Sequence, residues 1–222
     1  MRIDFLRQID ILDPKDIPEI TLIGVGGIGS PLALILAKMG AGKIKVFDPD
    51  IIEAHNLPNQ MYFLRQVGKG KVEAIKEVIE AFSETEVEMF QEEFKGNYRE
   101  KVSPIVISAV DSMKARKEIW KAVYMNPRVR LYIDARMGGE TGRIYAICPC
   151  DIDEVEFYEE NLYEDEESLE IPCTARAIIY NVFVLGGIIG AIIKKFVKKE
   201  SFPNEVLVDL FNFEFLTTKK EV

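Results

Sequence analysis

The sequence predicts an α/β domain whose mostly parallel sheet is flanked by helices. Short, continuous apolar runs such as Ile20–Ile23 are typical of strands that are buried on both faces. Stretches with helical spacing follow these runs, as in Lys71–Phe82, where apolar residues recur every three or four positions. Strands that alternate with helices connect through right-handed crossovers, which makes neighbouring strands parallel.

The elements follow in order along the chain. The first strand ends in glycines, and the next helix has Pro31 in its first turn and Gly40 just past its end. The predicted strands are 20–23, 43–47, 87–90, 104–110, 129–133, 143–147 and 206–210, and the predicted helices are 30–39, 71–82, 112–123 and 174–199.

Length and composition bound the class of protein. We expect the 222 residues to form a single domain, 1–222, because they suffice for one complete core and no linker interrupts them. A net charge of -9 argues against a nucleic-acid partner. The three cysteines include no Cys-x-x-Cys pair of the kind typical of structural zinc sites, and we predict no zinc. The absence of a disulfide pattern or signal peptide predicts a cytoplasmic location.

One apolar run raises the question of a membrane. Residues 178–193 are apolar except for Tyr180 and Asn181, but the run is short for a span and lysines follow it. We therefore predict a buried helix, in the core or at a subunit interface, and no membrane. Gly186 and Gly190 would let a neighbouring backbone approach this helix closely.

A glycine-rich turn follows the first strand. Gly24-Val25-Gly26-Gly27-Ile28-Gly29 has the spacing of a dinucleotide-binding loop, in which a helix N-terminus faces phosphate. Asp48 ends the next strand, where a carboxylate can accept hydrogen bonds from ribose. An ATP enzyme and a nicotinamide enzyme fit these residues equally well, and a packing turn without ligand is a third interpretation.

Further segments follow one another in a recognisable order. They are Phe5-Leu6-Arg7-Gln8-Ile9, the glycine loop with Ser30, Asp48-Pro49-Asp50-Ile51-Ile52-Glu53-Ala54-His55-Asn56-Leu57-Pro58-Asn59-Gln60, Val67-Gly68-Lys69-Gly70-Lys71-Val72-Glu73-Ala74, Val110-Asp111-Ser112 and Pro172-Cys173-Thr174. This series resembles the ThiF/MoeB/HesA family of ubiquitin-activating-type adenylyltransferases over nearly the whole chain. The combination is specific, whereas any one segment alone would be weak.

The resemblance implies a Rossmann-like fold with a crossover loop over the active site, and it implies roles for individual residues. The glycines Gly24, Gly26, Gly27 and Gly29 would face ATP, and Asp48 would hold its ribose. Asn56, Lys71 and the residue at position 59 would contact the phosphates. Asp111 would bind Mg²⁺, and Arg7 would reach the ATP of the partner in a homodimer. Such groups suit attack by an ionised carboxylate on a phosphate, since that reaction needs charge stabilisation and no general base.

Structural alternatives exist for several of these residues. Asp111 could cap the next helix, Lys71 could be a solvated helix-start lysine, and Arg7 could be a surface charge. His55 is interpreted as a polar loop residue without chemistry.

The chain departs from the family at position 59. Asn59 stands where the family usually has an arginine, so the bidentate cationic grip on the triphosphate is lost. Arg65 and Lys69 are the nearby cations that could replace it, and we favour Arg65.

Cys173 precedes the predicted long helix, whose N-terminus would lower the pKa of the thiol and suit it as a nucleophile. The resemblance implies that Cys173 takes over the acyl group or takes part in sulfur transfer; a packed or capping residue is the alternative. Cys148 and Cys150 do not form the paired Cys-x-x-Cys zinc motifs of many family members.

An acidic stretch from Asp151 to Glu170 contains no lysine or arginine. We interpret it as a solvated loop, and the alternative is that it steers a basic partner protein.

The sequence as a whole predicts an ATP- and Mg²⁺-dependent adenylyltransferase. Its substrate would be the C-terminal carboxylate of a small ubiquitin-like or sulfur-carrier protein ending in Gly-Gly, or of a peptide. An NAD-dependent oxidoreductase is a second hypothesis, which leaves Asn56, Lys71 and Asp111 unexplained. A catalytically weak scaffold, suggested by Asn59, is the third.

Overall fold

The computed structural model describes residues 3–163 and 177–218, and in that part of the chain eight strands form one sheet. The strands are β1 (Ile20–Ile23), β2 (Lys43–Phe47), β3 (Glu86–Phe90), β4 (Ile105–Ser108), β5 (Leu131–Gly138), β6 (Thr141–Ile147), β7 (Glu205–Asp209) and β8 (Glu214–Thr218). The helices are α1 (Gly29–Met39), α2 (Lys71–Phe82), α3 (Met113–Val123), α4 (Ile152–Glu159) and α5 (Ile179–Val197).

The sheet order is β3-β2-β1-β4-β5-β6-β7-β8. The first five strands of that order, from β3 to β5, pair in parallel. The pairs β5–β6, β6–β7 and β7–β8 are antiparallel. Strand β1 lies between β2 and β4, with Ile23 level with Phe47 on one side and Ser108 on the other. The strand order therefore reverses between β1 and β4, where a ligand crevice is expected at the carboxyl ends. The predicted Rossmann-like, mostly parallel fold is confirmed.

Two apolar layers cover the sheet. Helices α1, α2 and α5 pack on one face, where Leu32, Ile75 and Leu185 belong to one buried cluster. Helices α3 and α4 cover the other face through Trp120 and Tyr158. Strands β1 and β4 are buried at every position because helices lie on both sides of them.

Helix α5 contains the apolar run. Its 19 residues would allow a membrane crossing by length and composition alone, but 44% of its apolar window is buried inside the protein. It packs against α1: a Cβ added at Gly186 would lie 2.8 Å from Ile35 Cδ1 and 3.8 Å from Leu32 Cα. The backbone that the glycines were expected to bring close is thus that of α1 in the same chain. Helix α5 therefore buries one face in the core, as a core helix does.

Several boundaries differ from the sequence prediction. Helix α5 begins at Ile179 and not at residue 174, since Ile178 is extended and Ala177 bridges to Gly139. Strand β5 continues to Gly138, past the predicted end, because neighbouring strands pair with its polar residues. Strand β8 has no prediction; all five of its residues are exposed, so no alternation of buried and exposed positions indicates it.

The interpretation of the acidic stretch as a solvated loop is wrong for its first part. Residues Ile152–Glu159 form α4, which begins at the N-cap Asp151 and buries Val155 and Tyr158. Trp120 Nε1 donates to Glu159 at 2.9 Å, and the Cys148 amide donates to Glu154 at 2.6 Å. Acidic residues here are structural acceptors. Residues 164–170 lie outside the described part of the chain.

Candidate nucleotide site

The glycine loop lies at the crevice between β1 and β4. Gly24 has φ +88°, and a Cβ there would lie 2.6 Å from the Ala109 carbonyl oxygen. A Cβ at Gly29 would lie only 1.9 Å from the Gly24 carbonyl oxygen. Both contacts are with backbone, which cannot swing aside as a flexible side chain can. The turn therefore requires glycine at both positions, and it brings the first turn of α1 close to the end of β1.

Gly26 and Gly27 differ from those two glycines. A Cβ at Gly26 would have Gln60 Nε2 as its nearest neighbour, at 3.9 Å, so packing alone does not require glycine there. Gly27 lies beside the side chains of Met137 and Val182, which would be 3.2 and 3.7 Å from an added Cβ. The open side at Gly26 is where a bound group can approach the backbone.

A segment after β2 holds the glycine loop in place. The Met61 amide donates to Ser30 Oγ at 3.0 Å, and Ser30 Oγ donates to the Gly26 carbonyl at 2.6 Å. The buried Tyr62 hydroxyl donates to the Val25 carbonyl at 2.5 Å. The amide oxygen of Gln60 is buried and has no hydrogen-bond partner in the described part of the chain. A buried acceptor without a partner beside such a loop suits a site whose ligand or water brings the donor.

Asp48 links the carboxyl end of β2 to the same loop. Its Oδ2 accepts from the Val25 amide at 2.8 Å, and its Oδ1 accepts from the Asp50 amide at 2.9 Å. Burial raises the pKa of the Asp48 carboxyl, while Lys71 and the two amides oppose that shift. Each carboxylate oxygen keeps a further lone pair, so the residue can still accept from a ligand hydroxyl.

Lys71 is the first residue of α2, and its side chain points toward the carboxyl end of the sheet, where Asp48 lies. Its Nζ is 2.7 Å from Asp50 Oδ2, and the side chain is 9% exposed. The interpretation of Lys71 as a solvated helix-start lysine is wrong, because it is a buried cation. Asp50 itself is largely exposed, so an incoming anion can compete for the ammonium group.

Asp111 follows β4, and its side chain is exposed. It does not cap α3: the N-cap is Ser112, whose hydroxyl accepts from the Ala115 amide at 3.2 Å. The capping alternative is therefore wrong. Because the Asp111 carboxylate makes no structural contact in the described part of the chain, it is available to a ligand.

The two asparagines lie between Asp48 and Lys71 in the chain. Asn56 Oδ1 accepts from the Glu53 amide at 2.9 Å and closes a short helical turn, Ala54–Asn56. Its Nδ2, like the side chain of the half-buried Asn59, makes no hydrogen bond within residues 3–163 and 177–218. His55 is exposed in the same turn, 3.3 Å from Glu53.

The proposed substitutes for the missing arginine are both engaged elsewhere. Lys69 Nζ is 2.5 Å from Glu77, and the Arg65 guanidinium lies 4.3 Å from the Phe63 ring centroid. The exposed Arg65 retains a side chain that can change rotamer, so its role stays a prediction.

Arg7 is exposed and lies far from the loop of its own chain. The neighbouring Gln8 donates to the Met39 carbonyl at 2.7 Å, at the end of α1 opposite the glycine loop. The 11 residues of α1 separate the two ends by about 16 Å. Arg7 therefore lies near the end of α1 that is opposite the glycine loop of its own chain.

Cys173 lies outside the described residues. It precedes the first residue of α5, Ile179, by six positions. The expected lowering of the pKa of this thiol by the helix N-terminus therefore stays a prediction. Cys148 and Cys150 are free thiols, and the described residues hold no group of three or more His, Cys, Asp or Glu that could bind a metal.

A cavity of about 170 Å³ lies elsewhere, at the other end of α1. Its lining includes Phe5, Gly40 and Glu84 and none of the site residues above. Sequence reasoning missed the anchors Ser30 and Tyr62, and the only available signal was their position beside the glycine loop and the Asn56–Gln60 motif.

The strand order and the glycine turn define a Rossmann-like α/β domain with a nucleotide-type crevice. The chain belongs to the ThiF family, whose model matches residues 15–221. It is 30% identical over 115 residues to ubiquitin-like modifier-activating enzyme 5 of Caenorhabditis elegans, covering 45% of this chain and 27% of that protein. It is 40% identical over 73 residues to adenylyltransferase and sulfurtransferase uba4 of Emericella nidulans, covering 32% of this chain and 14% of that protein.

The fold also matches solved structures. MccB of E. coli, in a crystal structure with AMPCPP and MccA, has a TM-score of 0.74 and 22% identity. The match covers 94% of this chain and 65% of MccB, which shows a shared fold. The aligned part of this chain spans about a quarter or less of the two curated relatives, so their activities do not transfer with the match.

Proposed function

We propose that this protein is an ATP- and Mg²⁺-dependent adenylyltransferase that activates a carboxylate. The observation that carries the proposal is that four features lie at the carboxyl ends of the parallel strands. They are the glycine loop, Asp48 after β2, the buried Lys71 and the exposed Asp111 after β4. Membership of the ThiF family favours this function over that of a nicotinamide oxidoreductase, for which Lys71 and Asp111 have no role.

In the proposed reaction, a carboxylate oxygen attacks the α-phosphorus of ATP. A new P–O bond forms, the bond from the α-phosphorus to the bridging oxygen breaks, and pyrophosphate leaves with the electron pair. No proton has to move, because the nucleophile is already ionised. Lys71 would exchange Asp50 for a phosphate, and the loop amides at the start of α1 would face phosphate oxygens. Asp48 would accept from ribose hydroxyls.

Asp111 would hold Mg²⁺. One carboxylate suffices for such a site, because Mg²⁺ commonly binds through one or two carboxylates, phosphate oxygens and several waters. The exposed Asp111 fits that pattern, and the described residues offer no cage of three acidic, His or Cys ligands. When bound, Mg²⁺ neutralises charge on the phosphates.

The proposed substrate is the C-terminal carboxylate of a ubiquitin-like or sulfur-carrier protein ending in Gly-Gly, or of a peptide. The names of the relatives support both options, since two concern a ubiquitin-like modifier and a sulfurtransferase and the MccB structure contains MccA. We further propose a cytoplasmic homodimer in which Arg7 of one protomer serves the ATP of the other. The distance of Arg7 from its own glycine loop is consistent with that arrangement.

Transfer to Cys173 would be a second step. The thiolate would attack the acyl carbon, a C–S bond would form, and the C–O bond to AMP would break with release of AMP. Mass spectrometry with ATP and the acyl partner tests it: the absence of a thioester adduct at Cys173 that added thiol cleaves would remove this step and leave adenylation intact.

Exchange of labelled pyrophosphate into ATP tests the main proposal. We expect exchange that requires Mg²⁺ and a carrier or peptide with a free C-terminal carboxylate. Titration calorimetry with ATP and with NAD provides the companion measurement. Binding of NAD without binding of ATP would overturn the proposal, and ATP binding without exchange for any carrier would indicate the catalytically weak scaffold.

A further inference from the structure

A buried group of charges lies one strand away from the Asp111 loop. Asp134 in β5 is fully buried and accepts from Arg116 Nε at 3.0 Å, from Arg136 Nε at 2.8 Å and from the Tyr158 hydroxyl at 3.0 Å. Arg116 and Arg136 are 7% and 11% exposed. Two guanidinium groups against one carboxylate leave a net charge of +1 in this cluster.

The cluster is joined to the candidate nucleotide site by hydrogen bonds. Arg116 Nη2 donates to the carbonyl of Val110, the residue before Asp111, and Arg116 Nε donates to Asp134. Asp134 is level with Ser108, the last residue of β4. Arg136 lies two residues further along β5, on the same face as Asp134, and therefore extends toward the level of the Asp111 loop.

Arg136 is the incompletely satisfied member. Its Nε donates to Asp134 and its Nη1 to the Asn161 carbonyl at 2.9 Å. Its Nη2 is buried and has no acceptor within residues 3–163 and 177–218. Burial alone would lower the pKa of Arg136, but the Asp134 carboxylate raises it, so the guanidinium stays charged. A buried, charged donor without an acceptor is costly, which points to a missing anion.

The surroundings define the size of that anion. The rings of Tyr145 and Tyr163 lie over the guanidinium, with centroids 4.6 and 5.7 Å from Cζ. Only one nitrogen lacks an acceptor, so the site matches a single carboxylate oxygen rather than a polyphosphate that needs several donors. Under the proposed function, the triphosphate would find its donors at the glycine loop and Lys71, on the other side of β4.

We propose that Arg136 binds the carboxylate of the acyl substrate through Nη2 and positions it beside the Asp111 loop. This role rests on the proposed function only in that the substrate is a carboxylate. A guanidinium there would reduce the repulsion between the substrate and the phosphates, while the second carboxylate oxygen would remain able to attack. Asp134 would orient Arg136 and balance one of the two guanidinium charges.

The test compares binding of one hexapeptide ending in Gly-Gly as its free acid and as its C-terminal amide, to the full chain and without ATP. In the unsubstituted protein we expect the acid to bind about tenfold to a hundredfold more tightly, as a charge-assisted hydrogen bond would give. Arg136→Gln should bring the ratio of the two affinities close to one, and Arg136→Lys should retain part of it. Arg130→Gln removes an exposed arginine just before β5 and should leave the ratio unchanged.

The ratio within each variant separates binding from stability, since loss of folded protein would weaken both peptides equally. If Arg136→Gln fails to fold, Arg136→Lys supplies the test, because its ratio should fall between one and the ratio of the unsubstituted protein. An undiminished acid preference in folded Arg136→Gln or Arg136→Lys, or the absence of any acid preference from the unsubstituted protein, would overturn the proposal. Pyrophosphate exchange with the acid peptide is scored separately: exchange without an Arg136-dependent ratio refutes this inference alone, and the reverse result refutes adenylation alone.

Discussion

Replacing Gly29 by alanine should disrupt the protein at its glycine loop. A Cβ at this position would lie 1.9 Å from the Gly24 carbonyl oxygen and 2.9 Å from the Gly24 carbonyl carbon. Both atoms belong to the backbone at the end of β1, which is held between two neighbouring strands. The first turn of α1 would therefore have to move away from β1 by more than an ångström, since carbon and oxygen normally approach no closer than about 3 Å.

The expected cost follows from the rigidity of that neighbour. Overpacking of a well-packed core costs about 1–3 kcal/mol when side chains can adjust, and here only backbone can adjust. We expect at least about 3 kcal/mol, which corresponds to a decrease in Tm of about 6–12 °C for a chain of this length.

Gly26→Ala is the matched control in the same loop. Its Cβ would meet nothing closer than Gln60 Nε2 at 3.9 Å, so the free energy of unfolding should change by less than about 1 kcal/mol. ATP affinity should nevertheless fall, because a methyl group would stand where the phosphates approach the backbone. Chemical denaturation and ATP titration calorimetry of both variants separate the effects. A Gly29→Ala protein as stable as Gly26→Ala would refute the packing argument.

Four further outcomes are expected. Lys71→Met should lower pyrophosphate exchange by about a hundredfold or more, because no other buried cation pairs with Asp50 among the described residues, whereas Lys76→Met on the same helix should not. Asp111→Asn should raise the Mg²⁺ concentration needed for exchange with little change in Tm, since the side chain is exposed. Ser112→Ala should instead cost about 1 kcal/mol of stability by removing the N-cap of α3, as denaturation would show. Protonation of Asp48 should weaken ATP affinity because it removes an acceptor, and this weakening should begin at a higher pH than for an ordinary aspartate because burial raises the pKa of Asp48. Calorimetry across pH measures the effect, and Asp48→Asn should abolish it.

The parallel strands and the glycine turn could be predicted from the sequence because their signals are local. Strands buried on both faces are continuously apolar, as Ile20–Ile23 is, and its predicted bounds match β1. The helix Lys71–Phe82 was equally predictable from its apolar spacing, and Gly40 does end α1 with φ +96°. The placement of Asp48 and Asp111 at strand ends follows from the same pattern.

Other features depend on contacts between distant residues. Asp134 and Arg136 interrupt the apolar pattern of β5, and their burial depends on the ion pair between them. Lys71 looks like any helix-start lysine in the sequence, and its burial depends on Asp50, 21 positions away. Helix α4 is acidic, so its composition favours a loop; the burial of Val155 and Tyr158 against the sheet stabilises it instead.

The sequence by itself determined the class of fold, the glycine loop and the family of this protein, because apolar period and glycine spacing act over a few residues. Only the tertiary structure decided which charges are buried and which polar atoms lack partners. Whether a charged side chain is solvated, paired or buried without a partner depends on the helices and strands that pack against it from elsewhere in the chain. For that reason Arg136, which carries no sequence motif, becomes a candidate for binding substrate only once β5, α3 and α4 are assembled.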